Sequence, residues 1–91
     1  MTDPPRYAVY LKPAAERALK KIADRIARRR IVRAIDGLAT TARPAQAVRI
    51  QGSSGLFRIR AGDYRIIYTV EDATRTVLIA TIGHRREVYR R

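Results

Sequence analysis

Leu56-Phe57-Arg58-Ile59-Arg60-Ala61-Gly62-Asp63-Tyr64-Arg65-Ile66-Ile67-Tyr68 reads as two short strands closed by a tight turn. Gly62-Asp63 is a two-residue hairpin connection, and glycine in the first place suits a type II′ turn. With those residues as the turn, Ala61 faces Tyr64, Arg60 faces Arg65 and Arg58 faces Ile67. Side chains alternate with period two along a strand. One face is therefore Phe57, Ile59, Ala61, Tyr64, Ile66 and Tyr68, which is core material. The other face holds Arg58, Arg60 and Arg65. Like charges directly across a strand pair destabilise it, whereas an anion held between them reverses that sign. The pattern reads as a phosphate site.

Upstream, Tyr7-Ala8-Val9-Tyr10-Leu11 alternates and is rich in β formers, so it is a first strand. Pro13 suits the first turn of a helix. Ala15, Leu19 and Ile22 share one helical stripe; Ala27, Ile31, Ile35 and Leu38 share another, out of phase with the first. The phase break near Ala23-Asp24 predicts two helices, with Asp24 as N-cap of the second. Arg25, Arg29, Arg33 and Asp36 then oppose the apolar stripe, as a solvated face or as a second footprint for nucleic acid.

Thr40–Pro44 reads as a loop, Val48-Arg49-Ile50 as a short strand and Gly52–Gly55 as a turn. After the hairpin come a turn over Glu71–Arg75 and a strand over Thr76–Ile82. Its run Val77-Leu78-Ile79-Ala80 predicts a central strand covered on both sides. A tail, residues 83–91, leaves the sheet at Gly83. The expected class is α+β: an N-terminal strand, two helices forming a hairpin, then a mostly antiparallel four-stranded sheet. Ninety-one residues suffice for one domain, 1–91, with no internal boundary or repeat.

Charge narrows the partners. Lys+Arg number 20 against 8 Asp+Glu, a formal charge of +12. Only Lys12, Lys20 and Lys21 are lysines, so the cations are overwhelmingly arginine, the residue suited to bidentate phosphate contacts. Nucleic acid or an acidic protein is the expected partner. A membrane surface is not, since no segment pairs a basic face with exposed aromatic anchors, and no apolar run approaches the ~20 residues of a membrane span. The absence of cysteine excludes disulfides, thiolate nucleophiles and cysteine zinc sites, and is compatible with a reducing cytosol.

His84 is the single histidine, which excludes histidine-pair metal sites and two-histidine ribonuclease chemistry. Asp63, Glu71, Asp72 and Glu87 are not spaced as a two-metal cluster, so neither metal nor cofactor is expected. There remains the arginine cluster, with His84 and Tyr89 in the tail.

R-I-R before the turn, Y-R-I-I-Y after it and G-H-R-x-x-V-Y at the end occur in an order that resembles the RelE-type toxins of bacterial toxin–antitoxin pairs, over Tyr7 to Tyr89. The resemblance implies a ribosome-dependent endoribonuclease that cuts mRNA in the A site of the 70S ribosome. The RNA's own 2′-hydroxyl attacks the adjacent phosphorus, without metal, leaving a 2′,3′-cyclic phosphate and a 5′-hydroxyl. By position, Arg58 and Arg60 match the family's basic residues before the turn, Arg65 its hairpin arginine, Arg85 its tail arginine and Tyr89 its terminal tyrosine. Arg65 and Arg85 would hold the scissile phosphate, with Arg60 beside them. Arg58, with Arg49 and Arg86, would contact flanking RNA, and Tyr89 would stack on a base or position the nucleophile. Family members often carry lysine before the turn. Arginine is a poor base at neutral pH, which leaves His84 as the titrating candidate.

The same relatives imply an acidic, partly disordered antitoxin, operator DNA contacted only through that antitoxin, and a bacterial cytoplasmic address. Structural roles remain open beside each of these. Arg58 and Arg60 can pair with Glu87 or an aspartate, Arg65 with the tail carboxylate; Tyr89 can pin the C-terminal segment and His84 can cap a turn. Two other functions share the pattern: a ParE-like gyrase inhibitor, and a non-catalytic nucleic-acid-binding module using the second-helix arginines.

Overall fold

The computed structural model describes residues 6–50, 52 and 55–84. In chain order its elements are β1 (Ala8–Leu11), α1 (Pro13–Lys21), α2 (Arg25–Gly37), β2 (Val48–Arg49), β3 (Leu56–Ala61), β4 (Tyr64–Glu71) and β5 (Thr76–His84). The hairpin has the register that its turn dictates: Ala61 faces Tyr64, Arg60 faces Arg65 and Arg58 faces Ile67. Gly62 has φ +63°, while Asp63 is not among the described residues with positive φ, as a type II′ turn requires.

A Cβ at Gly62 would meet only Arg30 Nη1, at an ordinary 3.6 Å, so the demand for glycine comes from the backbone. Gly62→Ala is expected to lower stability by about 1–2 kcal/mol. The check is a urea midpoint, with Gly62→Asn falling between the two because asparagine tolerates positive φ.

All five strands form one sheet in the order β1-β5-β4-β3-β2. The N-terminal strand is thus not separate from the four that come after the helices: it joins them as an edge, parallel to β5. The chain between β1 and β5, from α1 through β4, supplies the long connection that a parallel pair needs. The other pairings are antiparallel.

Both helices lie on one face of this sheet. Pro13 opens α1; Asp24 Oδ1 caps α2 by accepting from the backbone N–H groups of Ile26 (2.9 Å) and Ala27 (3.2 Å). Their apolar stripes carry Ala15 and Ile22, then Ile31, Ile35 and Leu38, into a core shared with Ile59, Ala61, Ile66, Tyr68, Val77, Ile79 and Ile82. Contacts from α1 go to β5 and β1, and those from α2 to β3. Arg25, Arg29, Arg33 and Asp36 are exposed on the outer side of α2. No helix among the described residues is long and apolar enough to cross a membrane.

Two expectations for β5 are corrected. Only Val77, Ile79 and Ile82 are buried; Leu78 and Ala80 are half-buried, so the strand is covered on its helix side alone. Nor does the chain leave the sheet at Gly83, because Gly83 and His84 still pair with Arg65 and Tyr64. Between Tyr68↔Ile79 and Ile67↔Thr81 the register slips, leaving Ala80 as an extra residue of β5. This bulge shifts the alternation by one residue, which is why Ile79 and Ile82, three apart, both reach the core.

Candidate functional site

The sheet face away from the helices is laid out in rows by the strand register. Nearest the turn stand Arg60, Arg65 and Gly83, side by side across β3, β4 and β5. The next row is Val48, Arg58, Ile67 and Thr81. Beyond the bulge lie Leu56, Thr69, Leu78 and Tyr10. The face therefore grades from cationic at the hairpin turn to largely apolar at its far end.

The three arginines differ in setting. Arg60 is exposed, Arg58 is half-buried, and Arg65 is 8% exposed. Arg65 is the one charged side chain buried among the described residues, and its Nη1 is shielded from water. Ile67, also 8% exposed, shares this face and stands outside the helix-side core. Burying a guanidinium is costly unless its charge is compensated, and Arg60 directly opposite adds repulsion. A phosphate across the pair would offset that repulsion. Guanidinium forks match phosphate geometry, and a half-desolvated site strengthens the attraction.

His84 is not part of this cluster. It stands opposite Tyr64 on the helix-facing side, the rings edge-to-face with centroids 5.5 Å apart. There it borders a cleft of about 590 Å³, lined among the described residues by Arg17, Lys21, Ile22 and Tyr64. Expecting His84 as the titrating group among the arginines is corrected accordingly: the sheet lies between them. Arg49 differs too. It pairs with Phe57, which puts it on the helix-facing side of the edge strand β2, away from Arg58. Arg85, Arg86 and Tyr89 lie outside the described residues.

Two features escaped the sequence reading. Gly83 and Thr81 join the arginine face only because of the bulge, whose trace in the sequence is the three-residue spacing of Ile79 and Ile82. The second is a network beside the β4–β5 turn. Asp72 accepts from Tyr7 Oη (2.6 Å) and from both Arg43 Nη groups (3.1 and 2.9 Å), and the Arg43 guanidinium lies 5.4 Å from the Phe57 ring centre. Arg43 first, and Tyr7 after it, hold the Asp72 carboxyl below its ordinary range.

A depressed folded-state pKa contributes stability above the unfolded carboxyl value of about 3.9. That contribution is lost as pH falls through the folded value. Wild type should lose slightly more stability than Asp72→Asn between pH 7 and pH 3, as read from urea midpoints. The difference stays small because the pair is exposed.

Comparison with known proteins bears on the family and the fold. A family model described as "ParE toxin of type II toxin-antitoxin system, parDE" matches residues 9–89. Toxin RelG of Mycobacterium tuberculosis is 42% identical over 38 residues, covering 42% of this chain and 44% of that protein. The match thus spans less than half the length of this relative. The archaeal RelE–RelB complex from Pyrococcus horikoshii has a chain 26% identical, with a TM-score of 0.77, covering 88% of this chain and 96% of that one. The RelBE2 complex of M. tuberculosis has one 26% identical, TM-score 0.63, covering 87% and 91%. The intact E. coli RelBE complex, at 20% identity and TM-score 0.73 over 86% and 95%, shares the fold.

Proposed function

The chain belongs to the ParE toxin family of type II toxin–antitoxin systems, in the RelE/ParE superfamily, and on that premise we propose that it is an mRNA-cleaving toxin acting in the ribosomal A site. The observation that carries this reading is the Arg60–Arg65 pair beside the hairpin turn, with Arg65 buried on the sheet face away from the helices. A scissile phosphate seated there places its developing charge against two guanidinium groups, and such electrostatic stabilisation accounts for much of enzymatic rate enhancement. The RNA's 2′-hydroxyl gives its proton to water as its oxygen attacks phosphorus, the 5′-oxygen leaves and takes a proton from water, and the protein's task is alignment and charge stabilisation. Arg58 holds the neighbouring backbone. Arg85 completes the phosphate site from the tail, with Tyr89 positioning the RNA. No step in this scheme calls for a metal.

RelE proteins occur in complexes with RelB antitoxins. By analogy an acidic antitoxin covers this chain's basic surface, and operator DNA is reached only through it. The test is to incubate the purified chain with mRNA, free and on ribosomes with an empty A site, and to map the ends. Cuts confined to ribosomes, with 5′-hydroxyl ends, are the expected result. The family match to ParE favours a second reading, inhibition of DNA gyrase. Covalent gyrase–DNA complexes with no cleaved RNA would select it.

A further inference from the structure

The far end of the open face has no part in the phosphate chemistry, yet it carries the most exposed aromatic side chain among the described residues. Tyr10, on the edge strand β1, is 59% exposed and lies beside Leu78 in the row beyond the bulge. Within the described residues no hydrogen bond or ring contact engages it. Exposed sheet edges are commonly defended by charge; this one presents Ala8 and Tyr10 outward.

Tyr10 shares its face with Arg58, Arg60 and Arg65. From Arg65 the path runs four residues along β4 and two strands across, a diagonal of roughly 16 Å at ordinary sheet spacings. Single-stranded RNA is bound by this combination: cations for the backbone and an aromatic ring on which a base lies flat. We propose that Tyr10, backed by Leu78, is a base-stacking platform for single-stranded RNA whose phosphates lie on the arginine end of the same face. The proposal rests on the RNA-cleaving reading for its biological use, but not for its test. It makes Tyr10 a specificity determinant, gripping a base some nucleotides from the scissile bond.

The experiment is a titration of the full-length chain with a short 2′-O-methyl oligouridylate, which lacks the attacking hydroxyl, and with an abasic chain of the same length. Wild type and Tyr10→Phe should prefer the oligonucleotide with bases by about ten-fold. Tyr10→Ala should lose that preference while keeping the same salt dependence, since the phosphate contacts are untouched. An unchanged preference in Tyr10→Ala would overturn the proposal. So would a Tyr10→Ala chain that fails to bind its antitoxin but retains the base preference, because the face would then serve a protein. If no RNA is cut on ribosomes and the Tyr10-dependent preference persists, the cleavage reading fails and the stacking site stands.

Discussion

Replacing Arg65 with methionine is expected to lower RNA cleavage by about 10²–10³ and to relieve growth arrest in a chain that still folds. Its guanidinium is 8% exposed and sits directly across from Arg60. Methionine keeps an unbranched chain in the same space and removes the like-charge pair with Arg60. In the proposed reaction Arg65 faces the developing charge on phosphorus, and losing one such group typically lowers kcat by about 10²–10³. End-mapped cleavage on ribosomes and a melting curve on the same preparation decide the matter. A variant that unfolds would make Arg65 structural, and a stable variant that still cuts would remove it from the site.

The largest loss of stability is expected from Tyr68→Ala. Tyr68 is fully buried in the middle of β4, its ring stacked on Phe57 at 5.7 Å between centroids and its hydroxyl donating to the Ala42 carbonyl at 2.9 Å. One side chain thus joins the sheet to the loop after α2. Truncating a buried aromatic costs about 3–5 kcal/mol, against the 5–15 kcal/mol that holds a typical domain folded. Much of the variant should be unfolded at 37 °C, seen by circular dichroism and urea titration. Tyr68→Phe isolates the hydrogen bond and should cost about 1–3 kcal/mol, because the Ala42 carbonyl loses its tyrosine donor. Burial also pushes the Tyr68 phenol up to about 12. Its contribution is complete below pH 10 and lost as pH rises toward 12, so alkaline unfolding of wild type should be steeper than that of Tyr68→Phe.

These two residues are near neighbours in sequence and opposite in kind, and period two told them apart. Tyr68 with Ile66, and Arg65 with Arg60 and Arg58, fall on separate faces by counting from Gly62-Asp63. The break between the helices was equally legible. Apolar stripes change phase at Ala23-Asp24, and Asp24 caps the second helix. His84 was not legible. Strict alternation from Val77 and Ile79 sends residue 84 to the arginine face; the bulge at Ala80 turns it over to meet Tyr64. Arg49 was misplaced for a related reason, since the short strand β2 takes its facing entirely from its register against β3.

The sequence by itself determined the hairpin, its register, the two helices with the Asp24 cap of the second, and the arginine composition of the face away from them. Each arises from turn chemistry, helix capping or side-chain periodicity, which act between residues close along the chain. Tertiary structure alone decided that β1 joins the sheet beside β5, that Arg65 is buried while Arg60 is exposed, and that Tyr10 shares their face. Those outcomes depend on strand order and on a one-residue bulge. Both are settled by packing between segments far apart in sequence, where no local rule counts the residues.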